Sequence, residues 1–94
     1  PVIIVQNNTG NLYSPTTIIV PVTARKRKKA LPTHIKVKGA GLPKKSIALL
    51  EQLRTIDKSR LREKIGEITR TSLNKIDKGL LISLGCFEDR RFKK

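Results

Sequence analysis

Ninety-four residues make at most one small domain, and their 37% hydrophobic content, set in blocks between turn signals, excludes a disordered basic tail. Lys and Arg outnumber Asp and Glu by 21 to 7, a formal net charge of +14, so the chain repels itself and seeks a polyanion or an acidic protein, nucleic acid first. One cysteine and one histidine exclude an internal disulfide and an ordinary structural zinc site, and no apolar run approaches the roughly 18 residues of a membrane span, so a cytoplasmic, metal-free, cofactor-free and membrane-free protein is expected.

Pro1 leads at once into Val2-Ile3-Ile4-Val5, apolar on both faces, the pattern of a strand inside a sheet. Such a strand needs a neighbour that nothing upstream in the sequence supplies, so an N-terminally truncated or cleaved domain is expected. Gln6-Asn7-Asn8-Thr9-Gly10-Asn11 reads as a loop, because its amides cap turns and tolerate left-handed backbone. Thr16 to Thr23 is dense in β-branched residues and reads as the second strand; Pro21, which can donate no ladder hydrogen bond, implies an edge or a bulge there.

The run Arg25-Lys26-Arg27-Lys28-Lys29 follows. After it Ile35-Lys36-Val37-Lys38 alternates apolar and charged side chains, the mark of a half-buried third strand. Gly39 to Pro43 is a loop, and Ser46 to Thr55 returns to a strand pattern with Ile47, Leu49 and Leu53 on one side. Asp57 is placed to cap a short helical turn ending near Leu61, and Lys64 to Ile68 is a short strand.

From Ser72, the residues Leu73, Ile76, Leu80, Leu81 and Leu84 recur at helical spacing, with Asn74, Lys75, Asp77 and Lys78 facing outward. Gly79 within this helix costs about 1 kcal/mol against alanine, and Gly85 is positioned to end it. Residues 1–86 thus form the single domain, and the basic tail 87–94 is expected to be mobile. Short strands followed by one amphipathic helix imply a mainly β fold with α: a small, strongly bent antiparallel sheet or barrel with a helix packed on it.

Tyr13, Phe87 and Phe92 are the only aromatic residues, few for gripping single strands by base stacking, so hydrogen bonds and charge must do more. The basic run, with Arg25, Lys26 and Lys28, suits phosphate contacts that position RNA without choosing its sequence; a solvated charged loop is the plain alternative. Asn7 and Asn11 flank Gly10 and are candidates to read base edges, although turn geometry alone explains such residues. The planar fork of Arg54 suits an oxyanion, unless Glu51, Asp57 or another carboxylate holds it. As an alternating strand, the segment would turn Gln52 and Arg54 to one face. Cys86 lacks a basic partner at catalytic spacing and is read as inert.

Three segments together carry a resemblance: Pro1-Val2-Ile3-Ile4-Val5-Gln6-Asn7, Leu31-Pro32-Thr33-His34, and Leu50-Glu51-Gln52-Leu53-Arg54-Thr55-Ile56-Asp57. In order and spacing they resemble the MazF/PemK family of toxin endoribonucleases, from Pro1 to about Leu84, with only the C-terminal tail outside. The resemblance implies an SH3-like antiparallel β-barrel with a C-terminal helix. It also implies a homodimer that cuts single-stranded mRNA at short specific sequences without the ribosome, and an acidic antitoxin protein that neutralises it. The family's first strand, its substrate-covering loop and an arginine just before the residue matching Pro1 are missing, so these residues alone are expected to be inactive.

The same resemblance makes Thr23 the counterpart of the catalytic threonine, whose hydroxyl hydrogen-bonds a non-bridging phosphate oxygen as charge develops; otherwise it is an ordinary strand-end threonine. It places Gln52 in the RNA site and Pro32, Thr33 and His34 along the RNA groove, with His34 in base contact rather than at the cleavage centre. Cleavage would proceed through a 2′,3′-cyclic phosphate. Two other functions remain open: a gyrase-poisoning toxin on the same fold, and a basic RNA-binding module without catalysis.

Overall fold

The computed structural model describes residues 1–24 and 31–86; the basic run with Arg25, Lys26 and Lys28, and the tail 87–94, lie outside the described residues. The sheet is organised by β2 (Thr16–Thr23), eight residues of which most are β-branched and suited to a pleated, half-buried surface. One edge of β2 pairs antiparallel with β1 (Val2–Ile4), Ile3 opposite Val20. Its other edge is shared: Thr16 to Ile19 pair with β5 (Arg54–Asp57), and Val22 and Thr23 pair with β4 (Ile47–Leu49). Beyond β4 lies β3 (His34–Lys36), one residue earlier than the alternation implied at its start and two earlier at its end.

Pro21 stands at this fork. The Val22 N–H donates to the Pro1 carbonyl, on the β1 side, so position 21 faces the opposite edge, where a proline has no hydrogen to give. A continuous partner strand would lack a donor there. The chain expected as one strand over 46–55 is accordingly two short strands separated by a 3₁₀ turn, Leu50–Gln52, in which the Leu53 N–H donates to the Leu50 carbonyl at 3.2 Å. The alternation argument that set Gln52 and Arg54 on one face therefore does not apply, because only Arg54 is in a strand.

Among the described residues the sheet does not close into a barrel. It runs β1-β2-β4-β3 with β5 also on β2, and no ladder joins β1 to β3. Among the described residues β1 is paired on one edge only: Ile3 is buried, while Val2 and Ile4 are 40% and 45% exposed.

The main hydrophobic cluster lies on one face of the sheet, where Ile3, Val20, Val22, Val37, Ala48 and Leu50 meet Ile76 of the helix α2 (Arg70–Ser83). The helix starts two residues before Ser72, because Thr69 caps it by accepting from the Ser72 N–H. Ser72 is buried and ties helix to sheet by accepting the Lys38 N–H at 2.8 Å. Gly79 is where α2 crosses the 3₁₀ turn: a methyl there would lie 2.5 Å from Leu50 Cδ1. Close approach is the reason for a residue that weakens a helix.

The apolar stripe is narrower than its spacing implied. Ile76 is fully buried, but Leu81 and Leu84 are 45% and 49% exposed, since α2 packs on the 3₁₀ turn and β3 and its last turn runs beyond them. Gly85 ends the helix as expected, at φ 67, with its N–H donating to the Ile82 carbonyl and the Cys86 N–H to that of Leu81, a Schellman closure.

Two loop expectations change. The amide-rich segment contains α1 (Asn8–Tyr13), a short helix with no buried residue and hence no apolar periodicity to reveal it. The turn after Asp57 is present as a 3₁₀ segment, Lys58–Arg60, without a side-chain cap from Asp57. Lys64 to Ile68 makes only one isolated bridge, Ile68 to Gly39, and is not a strand.

Candidate functional site

Side chains directly opposite one another in antiparallel strands project to the same face, and neighbours along a strand alternate. The row Val22–Ala48–Ile35 faces the core. The adjacent row, Thr23–Ile47–Lys36, therefore faces away from α2. Leu49 and His34 share that side, as do Ile19 farther along β2 and Arg54 opposite it on β5, with Leu49 and Ile19 buried there at 2% and 1% exposure. Thr23 and Lys36 are two strand spacings apart, about 10 Å, and Arg54, on β5 opposite Ile19, is four residues along β2 and one strand spacing across from Thr23, about 14 Å.

The Leu31 to His34 loop is anchored to this side by one carboxylate. Glu51, in the 3₁₀ turn, accepts from the Thr33 hydroxyl at 2.9 Å and bonds His34 Nε2 at 3.1 Å. The Leu31 N–H donates to His34 Nδ1 at 3.1 Å, and the Leu50 N–H donates to the Thr33 carbonyl at 3.1 Å. Because Nδ1 accepts, Nε2 carries the proton and donates to Glu51. Both ring nitrogens of His34 are thus engaged and its side chain is 8% exposed, so it has no free nitrogen to act as a base and little ring to offer a nucleobase. It serves as part of the loop's frame.

Burial works against the Glu51 carboxylate, but its own backbone N–H, the Thr33 hydroxyl and His34 together outweigh it and hold the group below its ordinary 4.5. A depressed carboxylate contributes stability above its unfolded value and loses it as pH falls through the lower folded value. Glu51→Ala is accordingly expected to lower stability at neutral pH by about 1–2 kcal/mol. By about pH 3 the difference from the unsubstituted protein should have narrowed. Thermal melts of both proteins across that range check this; a constant gap would mean that the carboxylate is not what holds the loop.

Gln52 and Arg54 are exposed, and among the described residues neither side chain has a hydrogen bond or ion pair. The carboxylate partner considered for Arg54 is therefore absent there. Thr23 is half-buried at the end of β2. Pro32 is exposed beside the anchored Thr33.

Asn7 and Asn11 do not join this group. Asn7 caps α1 by accepting the Gly10 N–H at 2.8 Å. The Asn11 amide donates to the Gln6 carbonyl at 3.0 Å and accepts from the Thr17 hydroxyl, which is fully buried, at 2.6 Å. Thr17 and Thr23 lie at opposite ends of β2, about 20 Å apart. Both amides thus have structural work that accounts for their presence.

Two residues escaped the sequence. Lys36 was visible only as the polar half of an alternation, and its place across from Thr23 needed the β2–β4–β3 register. Glu51 was considered only as a partner for Arg54, while its actual partners lie 17 and 18 residues upstream.

The site is a sheet surface rather than a cavity, with exposed or half-buried polar groups set around the buried Leu49 and Ile19. A shallow concavity lined by Thr16, Thr55, Ile56, Asp57 and Arg60 lies toward the other end of β2. Among the described residues the ion pairs are His34–Glu51 and Lys64–Glu67, so most cations there are unpaired. An open, cationic surface with a clamped loop suits an extended polyanion better than a small molecule. No helix among the described residues is long and apolar enough to cross a membrane.

Residues 1–84 match the family described as PemK-like, MazF-like toxin of type II toxin-antitoxin system. Among solved structures, an endoribonuclease in complex with its cognate antitoxin from a mycobacterial species is 29% identical, with a TM-score of 0.77 over 90% of this chain and 80% of that one. The Mycobacterium tuberculosis toxin MazF-mt6 is 20% identical, with a TM-score of 0.78 over 96% and 88%, and a MazE-MazF complex from Deinococcus radiodurans is 24% identical, with a TM-score of 0.74 over 90% and 80%. The latter two likenesses concern the fold.

Proposed function

Starting from the fact that the chain belongs to the PemK-like, MazF-like toxins of type II toxin-antitoxin systems, we propose that it is a sequence-specific endoribonuclease of single-stranded mRNA. It acts as a homodimer, without the ribosome or a metal, and is neutralised by an acidic antitoxin. The observation that carries the reading is the side of β2, β4, β3 and β5 turned away from α2, where Thr23 shares one face with Lys36 and Arg54, cations with no ion pair among the described residues, beside a carboxylate-clamped loop.

Cleavage requires the ribose 2′-hydroxyl to lose its proton and attack the adjacent phosphorus. The P–O5′ bond then breaks, the 5′-oxygen takes up a proton, and a 2′,3′-cyclic phosphate remains. The Thr23 hydroxyl donates to a non-bridging oxygen as charge builds on the phosphorane. Arg54 pairs with a phosphate through its fork, and Gln52 offers an amide to a phosphate or base edge. Pro32 and Thr33 line the path of the bases, and Arg25, Lys26 and Lys28 capture the strand electrostatically. His34 is not the proton carrier, because both of its nitrogens are engaged.

The antitoxin follows from charge as well as kinship: a chain of net +14 is matched by an acidic partner, and the mycobacterial relative is bound to its cognate antitoxin. Incubating the complete protein with RNA in EDTA tests the enzymatic reading. Fragments ending in a cyclic phosphate at one recurrent short sequence are expected. Intact RNA together with stalled gyrase would replace the reading with a gyrase poison, and RNA bound but uncut would leave a binding module.

A further inference from the structure

The register places Lys36 across β4 from Thr23, with the half-buried, uncharged Ile47 between them. Lys36 is exposed, and among the described residues no carboxylate pairs with it. An ammonium on a flexible stem, free of partners and on the same face as the group assigned to the scissile phosphate, is suited to a neighbouring phosphate of the same strand. We propose that Lys36 contacts the RNA backbone and makes the strand cross the sheet from β2 over β4 to β3, setting its register at Thr23. This rests on the ribonuclease reading above.

A second role competes. β3 is an edge strand among the described residues, and an exposed lysine on an edge discourages pairing with another chain. That role needs a charge of either sign, whereas a phosphate contact needs a positive one. Lys36→Glu separates them, because it keeps a charge on the edge and reverses its attraction for phosphate.

The expected results come from the complete protein. Lys36→Gln raises the KM for RNA on the order of tenfold and flattens the salt dependence of log Kd by about 0.7, one single-strand phosphate contact. Lys36→Glu raises KM further, and Lys36→Arg restores most of the loss. The penalty is equal for cognate and non-cognate RNA, since a backbone contact carries no sequence information, and the melting temperature stays within a few degrees.

Lys36→Glu with the unsubstituted KM and salt slope would overturn the assignment, and so would a loss confined to binding of an acidic antitoxin. Thr23→Ala in the same assay keeps the two levels apart. If the unsubstituted protein cleaves, Thr23→Ala does not and Lys36→Glu behaves normally, only the Lys36 contact falls. If the unsubstituted protein neither binds nor cleaves RNA, the ribonuclease reading falls and the contact with it.

Discussion

Thr23→Ala is expected to slow RNA cleavage by the complete protein on the order of 10²–10³-fold, the usual cost of removing one donor aimed at a developing oxyanion. The loss should fall on kcat, with KM close to its original value, because the bond strengthens only as charge builds on the phosphorane. Thr23 ends the strand that organises the sheet and is half-buried, so its backbone pairing with Ile47 must be kept apart from its hydroxyl. Thr23→Val keeps the β-branched shape and removes only the hydroxyl, whereas Thr23→Ser keeps the hydroxyl and removes a methyl. Valine should behave as alanine does and serine should recover most of the rate, with melting temperatures close together. Unimpaired cleavage by Thr23→Val would remove Thr23 from the mechanism.

The largest loss of stability is expected at Ile76. Its side chain is fully buried where α2 meets the sheet, in one cluster with Val20, Ala48 and Leu50. Truncating such an isoleucine to alanine costs about 2–5 kcal/mol, out of the roughly 5–15 kcal/mol that holds a small domain together. Each kcal/mol lowers the melting temperature of a domain this size by about 4–8 °C. Ile76→Ala should therefore melt far below the unsubstituted protein, while Leu81→Ala, on the exposed side of the same helix, should change little. The Ile76 cluster lies on one face of the sheet and Thr23 on the other, so Ile76→Ala should still cleave RNA at temperatures where it remains folded. Equal melting temperatures for Ile76→Ala and Leu81→Ala would contradict this placement of the helix.

The elements legible in the sequence are those whose signal is local. β2 is marked by its own β-branched run, α2 by the recurrence that leads to Ile76, and the end of α2 by Gly85. The three segments that resembled the toxin family lie within the residues that match it. Charge likewise needs no fold: +14 points to a polyanionic or acidic partner whatever the chain's path.

What the tertiary structure alone decided depends on contacts distant in sequence. Pro21 announced a missing donor, but only the β2 register shows that it stands at the gap between β4 and β5, where 46–55 divides into two strands. Leu81 and Leu84 share the helical spacing of Ile76, and only the position of α2 over β3 and the 3₁₀ turn leaves them in solvent. Glu51 reaches back to Thr33 and His34, tying into the loop's frame the histidine expected in base contact. Lys36 was one charge among many until β4 set it across from Thr23. The physical reason is common to all four: propensity and periodicity act within a few residues, whereas the partner of a proline, a carboxylate or a lysine is chosen by the strands that the fold brings alongside.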